Sequence, residues 1–216
     1  PCRLAGVGHD GQLIVWDALS GQPQFIYQDP VAGLMSVAFS RDGQQLAVGN
    51  ASVGGSNSWA TIIDATSGQA LRTLPEASGW VWGVDFSPGG QDVATMNFMG
   101  EGKIWNVEKG QAQIDLRGVQ NGGYSIAYNP DGTLLAAGSN GSVLILDAHS
   151  GLPLLSLPGH RSLVVRSTFS PDGRTLATAS LDGTVRVYVV PSEDLLDLAR
   201  SRLTRTLAPE ECQKYL

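Results

Sequence analysis

Cysteine is scarce. Only Cys2 and Cys212 occur in 216 residues, at opposite ends of the chain. That excludes a disulfide-stapled scaffold, and no CxxC or Cys/His cluster stands ready for zinc. Two unpaired thiols fit a reducing compartment, so a cytoplasmic location is expected. No apolar run approaches the roughly 20 residues of a membrane span, and no signal peptide opens the chain. Charge is also sparse, at 16% of residues, with 14 basic against 20 acidic side chains for a net −6. Such a balance argues against a general phosphate-backbone binder, so no nucleic-acid partner is expected. No GxxxxGK[ST] string occurs, which excludes a P-loop in this chain. The carboxylates form no metal-ligand string either. Asp42, Asp131 and Asp172 sit in turn contexts where their side chains bond nearby backbone. No metal, membrane or cofactor is expected.

What the chain does have is glycine, 27 residues of it, distributed with a rhythm. The stretch Phe169 to Tyr188 reads as strand, tight turn, strand, tight turn, strand. Pro171-Asp172-Gly173 and Asp182-Gly183 supply the turns, because glycine tolerates the positive φ that short hairpins need. Val185, Val187 and Val189 alternate through the last strand. The pattern recurs. Aromatic anchors stand at Phe39, Phe86, Tyr128 and Phe169, and closing glycines at Gly21, Gly68, Gly110 and Gly151. A period of about 40–45 residues with four short strands per unit is the signature of a propeller blade.

With those residues in register, the chain resembles the WD40 repeat family over roughly residues 3–190. Trp16-Asp17 is the eponymous dipeptide; Ile63-Asp64, Trp105-Asn106 and Leu146-Asp147 are degenerate versions; Gly159-His160 matches the family's Gly-His. The resemblance implies an all-β propeller. Read this way, strands fall in groups of three, four, four, four and three, about five blades of which three are complete. The first blade lacks its innermost strand and the last its outer one. Two closures follow: a fragment of a seven-bladed ring whose N-terminal blades lie upstream, or a small five-bladed ring. Self-association is a third way to cover the open edges.

Residues 191–216 differ in kind. Ser192 is a plausible N-cap, and Leu195, Leu198, Ala199 and Leu203 recur at helical spacing, predicting a short helical tail. Residues 203–216, LTRTLAPEECQKYL, resemble the tail that follows WD40 arrays in large bacterial signalling proteins.

His160, Asp182 and Thr178 have the composition of a hydrolase triad. The WD40 resemblance implies instead a structural network within the blade, with Tyr188 at the position of the family's Trp. Asp10 with Trp16, and Trp105 alone, are fragments of that network elsewhere. A surface remains as the functional candidate. The anchor and the residues two and four before it should form one packing face of each innermost strand: Phe39, Val37 and Met35; Phe86, Val84 and Trp82; Tyr128, Ile126 and Tyr124. Trp80 lies beyond that face, at the strand's entrance. By family geometry it shares a rim with the long turn Ala51 to Ser58, which carries Asn57 and is followed by Trp59. Arg161 is a weaker candidate. Arg166 is expected to line the central channel, paired with Asp85. Trp80 is either an exposed hot spot or a core residue folded over its loop.

The sequence therefore points to a non-catalytic platform for protein partners, or a sensing module of a bacterial signalling protein. The alternative is a regulatory propeller attached to a kinase, cyclase or NTPase encoded upstream.

Overall fold

The computed structural model describes residues 2–30, 32–52, 58–76, 79–120 and 122–190. The expected helical tail and Asn57 lie outside the described residues. Within them the chain is all strand and turn. The first antiparallel sheet holds β1 (Arg3–Val7), β2 (Gln12–Asp17) and β3 (Pro23–Gln28). The second holds β4 (Ala32–Phe39), β5 (Gln45–Ser52), β6 (Ser58–Asp64) and β7 (Ala70–Glu76). In the third are β8 (Val81–Phe86), β9 (Asp92–Asn97), β10 (Gly102–Asn106) and β11 (Gln111–Leu116). Six strands then run in sequence order: β12 (Ser125–Tyr128), β13 (Leu134–Gly138), β14 (Asn140–Asp147), β15 (Pro153–Phe169), β16 (Thr175–Ser180) and β17 (Val185–Val189).

That last sheet corrects the strand count. The sequence reading separates an outer strand ending near Leu157 from an inner one starting near Leu163, but they are one strand, β15. Its first half pairs with β14 from Pro153 to Pro158, and its second half pairs with β16 from Val164 to Phe169. The chain stays extended through Gly159, whose φ of 140° is open to glycine and rarely to other residues.

Two local devices repeat. Asp17, Asp64 and Asp147 end the third strand of their units, and each accepts the backbone N–H and the hydroxyl of a serine three residues on. Ser40 and Ser170 donate to Asp42 and Asp172 in the turns that follow β4 and β15. These bonds hold the carboxyls of Asp17, Asp42, Asp64, Asp147 and Asp172 below their ordinary range.

The core lies between sheets rather than within them. Leu13 and Val15 of β2 pack with Leu34, Leu46 and Val48. Ala60 and Ile62 of β6 meet Val84, Phe86, Val93 and Trp105, and Ile104 of β10 meets Ile126 and Leu135. Val143 and Ile145 of β14 meet Val164 and Leu176. The third strand of each unit thus buries its apolar face against the next. Close approach is needed at the inner strands, where Ser36 and Ser125 donate to the carbonyls of Val81 and Val164 in the next unit, at 3.3 and 3.2 Å. A Cβ on Gly49 or Gly138 would lie 2.5 Å from those same carbonyl oxygens.

The strands β4, β8, β12 and the second half of β15 stand side by side. At their C-terminal ends they line a funnel of about 420 Å³. Their N-terminal ends form the opposite rim, which carries Trp80.

Candidate functional site: an aromatic rim

Trp80 immediately precedes β8, and its carbonyl accepts the N–H of Phe98 at 2.8 Å. That bond ties the entrance of the inner strand to the turn between β9 and β10. Asn97 shapes this turn: its side-chain oxygen accepts the N–H groups of Met99 and Glu101, and its amide donates to Glu101 Oε2 at 3.0 Å. Phe98 and Met99 are consequently held outward. The Trp80 and Trp82 rings stack with centroids 6.4 Å apart at 26°. Tyr124 receives Trp82 edge-on at 5.9 Å and Phe98 at 6.0 Å. Met99 completes the patch against Gly79, where a Cβ would come within 3.1 Å of its Cγ. Trp80 is 42% exposed, Phe98 45% and Met99 60%. Trp80 therefore fits neither sequence alternative alone: it packs on one face and shows solvent the other.

Trp82 departs from its expected place in the core, and the backbone explains why. The pairing of β8 with β9 slips between Val81 and Gly83, a bulge that leaves Trp82 without an opposite residue. Alternation breaks there, so Val81 enters the core with Val84 and Phe86 while Trp82 turns to the rim. The same slip sits between Leu34 and Ser36 and between Val164 and Arg166. Leu34, not Met35, is accordingly the core residue of β4, and Val164 is that of β15. Phe98 and Met99 escaped the sequence reading. Their signal was two apolar residues in a turn where other units carry His9-Asp10 and Leu181-Asp182.

Of the other rim candidates, Trp59 is half-buried opposite Pro75 on β7. Arg161 is exposed on β15, and its backbone N–H donates to Asp182 Oδ2 at 2.8 Å. It belongs with the His160 group rather than with the Trp80 cluster.

In that group His160 Nε2 meets Thr178 Oγ1 at 2.8 Å, and Nδ1 lies 3.2 Å from Asp182 Oδ2 and 3.1 Å from Thr184 Oγ1. The Thr184 hydroxyl foremost, then the Arg161 N–H, hold the Asp182 carboxyl far below its ordinary range. Thr178 is buried, so its hydroxyl meets no substrate. The arrangement braces a turn against two strands. Tyr188, which the sequence reading places in this network, stands outside it: its hydroxyl donates to the Pro158 carbonyl at 3.3 Å, and Thr184 is the further member. Trp105, expected to stand alone, donates its indole N–H to Thr95 at 2.9 Å, with Lys103 5.5 Å above its ring. Asp10 accepts the N–H of Gln12, and the Trp16 ring lies against Gly6.

At the funnel, Arg166 and Asp85 both line the wall, together with Arg41. The expected pair is not formed. Asp85 Oδ2 instead accepts the backbone N–H of Tyr128 at 2.7 Å, and burial pushes its pKa up to about 6. Arg166, one residue past the bulge, is exposed. Among the described residues no group of His, Cys, Asp and Glu could hold a metal, and no helix is long and apolar enough to cross a membrane.

Residues 119–147 and 151–188 match the family model for the WD domain, G-beta repeat. Those two segments are WD40 repeats. The WD repeat-containing protein SL1-17 of Schistosoma mansoni is 32% identical over 184 residues, covering 84% of this chain and 59% of its own length. The guanine nucleotide-binding protein subunit beta of Arabidopsis thaliana is 27% identical over 203 residues, covering 86% of this chain and 52% of the subunit. A periodic tryptophan protein 2 homolog of Dictyostelium discoideum is 28% identical, with 85% of this chain on 20% of its length. The chain thus spans little more than half the length of the first two relatives. The curled sheets and their sheet-to-sheet cores are consistent with a WD40 propeller, and WD40 repeats imply an interaction scaffold.

Proposed function

We propose that this chain is a non-catalytic platform whose aromatic rim binds a protein partner. The single observation that carries the reading is the contiguous patch of Trp80, Phe98 and Met99, exposed on a rigid footing of Trp82 and Tyr124. Aromatic residues and methionine are what interface cores favour over charge. The relatives named above include a guanine nucleotide-binding protein subunit, a component of a larger protein by its printed name. Purification of the native full-length protein from its own cells, beside a W80A/M99A variant, tests the reading. Loss of co-purifying proteins at unchanged thermal stability is expected; an unchanged set of partners overturns it.

Ring closure belongs to the same proposal. The apolar faces at the two ends of the arc, Val185 and Val187 on β17 and Leu4 on β1, are exposed, which supports further sheets, or a second copy, completing the propeller. The resemblance of residues 203–216 to tails of bacterial WD40 proteins supports a sensing or autoinhibitory module in a bacterial signalling protein; a cytoplasmic site fits the two scattered thiols. In that setting an upstream kinase, cyclase or NTPase domain would be the part the propeller regulates.

A further inference from the structure

The wall of the funnel carries three charged side chains, Arg41, Asp85 and Arg166. Each stands where the other units carry something uncharged. Arg166, three residues before its aromatic anchor, takes the place of Ser36, Gly83 and Ser125. Asp85, one before, takes that of Ala38, Ala127 and Thr168, and Arg41, two after, that of Pro88, Pro130 and Pro171. Strand pairing confirms the first equivalence, since Ser36, Gly83, Ser125 and Arg166 lie opposite Gly49, Met96, Gly138 and Ala179. The sheets form without these charges, so their meeting in one cavity needs another account. Nor do the opposite charges neutralise each other. Asp85 Oδ2 accepts the Tyr128 N–H at 2.7 Å, burial opposes its charge, and no cation among the described residues offsets it. Neither guanidinium makes a hydrogen bond or ion pair with a described residue.

We propose that the funnel binds a small zwitterion of the amino-acid class, its ammonium on Asp85 and its carboxylate on Arg166. A plain anion would satisfy the arginines but set its charge against Asp85. A plain cation would do the reverse, and a neutral molecule would leave all three side chains without a counter-charge. Only a ligand carrying both signs supplies what each side of the wall lacks, and charge-assisted bonds to both ends fix its orientation. Depth assigns the two arginines different parts. Arg166 lies three strand residues, about 10 Å, before Phe169, whereas Arg41 sits in the turn at the mouth, where a cation draws carboxylates inward. The volume of about 420 Å³ is that of a small-molecule site. The funnel opens on the face opposite the aromatic rim, so this inference does not rest on the rim's protein partner.

The experiment is calorimetric titration of the intact protein with glycine, β-alanine, γ-aminobutyrate and ε-aminocaproate, which hold the same two charges at increasing separation. The tightest of them is then compared with its N-acetyl derivative, which lacks the ammonium, and its methyl ester, which lacks the carboxylate. At least one member should bind saturably, with a dissociation constant of about 1 mM or lower. Each derivative should bind at least about tenfold more weakly, and so should the parent zwitterion with R166Q or D85N. D85N should leave the N-acetyl derivative no weaker than wild type does, because that molecule has no ammonium to lose a partner. R41A should cost about two- to threefold, an effect that fades with added salt. R166Q should keep the wild-type melting temperature, since it breaks no bond within the protein. R166S, which restores the residue found at Ser36 and Ser125, serves the same purpose should R166Q fold poorly. No saturable binding by any member overturns the proposal. An N-acetyl derivative as tight as its parent makes the funnel a plain anion site and overturns it too, as does wild-type affinity in both Arg166 variants.

Discussion

Asp85 on β8 accepts the backbone N–H of Tyr128 on β12 at 2.7 Å, so a carboxylate bridges the inner strands of two neighbouring sheets. Burial opposes its charge and pushes its pKa up to about 6, against an ordinary 3.8, and the Tyr128 and Phe86 N–H groups only partly offset this. The native state therefore binds this proton more tightly than the unfolded chain. Between about pH 4 and pH 6 the native state holds the extra proton, so this group's contribution to stability falls as pH rises through that window. Above pH 6 the deficit is complete, at most about 3 kcal/mol for a shift of this size. Asp85→Asn keeps an oxygen for the Tyr128 N–H and removes the charge. Urea denaturation should find the variant more stable than wild type at pH 7.5 and equal to it near pH 4. A variant destabilised at both pH values would show that the carboxylate is held by something stronger than one N–H.

The period and the turns were legible in the sequence because both are local: positive-φ glycines and Asp–Ser pairs declare themselves within five residues. The rim was half legible. Trp80 stood out as an aromatic at a position held elsewhere by Gly33, Gly122 and Leu163, but the role of Trp82 depended on a bulge. A bulge has no side-chain signature, and one unpaired residue inverts the facing of everything before it. The Arg166 and Asp85 pairing failed because a backbone donor that no sequence pattern reveals takes the carboxylate. Both residues do line the funnel, but Arg166 follows the slip in β15, and the Asp85 carboxylate on β8 is taken up by the Tyr128 N–H. Phe98 and Met99 required knowing that the turn between β9 and β10 reaches the entrance of β8, a contact made across the sheet.

Thr178→Val tests the brace in the last sheet. The change keeps the shape but leaves His160 Nε2 with no partner inside the protein, a loss of about 1–3 kcal/mol. Tyr188→Phe deletes only a bond to an exposed carbonyl and should stay within about 0.5 kcal/mol of wild type. Chemical denaturation of the two variants side by side distinguishes them. Equal effects would put Tyr188 back into the network.

Gly138→Ala probes the approach of neighbouring inner strands. The new methyl would lie 2.3 Å from Ser125 Oγ and 2.5 Å from the Val164 carbonyl oxygen, and the latter is backbone that cannot step aside. Overpacking of this kind costs about 1–3 kcal/mol. Ser125→Ala in the same chain should recover only part, because the carbonyl clash remains. Full recovery would mean that the hydroxyl alone set the limit. At Gly90, with positive φ but no atom within 4 Å, the same substitution tests backbone strain without crowding.

The two ends of the arc make the final prediction. In each of the first four units the third-strand positions equivalent to Val185 and Val187 are sealed against the following sheet: Leu13 and Val15, Ala60 and Ile62, Gly102 and Ile104, Val143 and Ile145. On β17 the same positions are 71% and 67% exposed. The first sheet shows the converse. Leu4 pairs with Trp16 as Leu46 pairs with Ile63, Val93 with Trp105, Leu135 with Leu146 and Leu176 with Tyr188. Leu46, Val93, Leu135 and Leu176 are fully buried, whereas Leu4 is 60% exposed. One end thus offers the donor half of the sheet-to-sheet contact and the other the acceptor half. Exposed apolar faces of this kind associate. Light scattering behind size exclusion should show the 216-residue chain forming dimers or larger species that grow with concentration. V185K/V187K should return it to monomer with unchanged circular dichroism, since neither side chain supports the core. A wild-type chain that stays monomeric at high concentration would mean that these faces are not each other's partner, and that a different surface covers them.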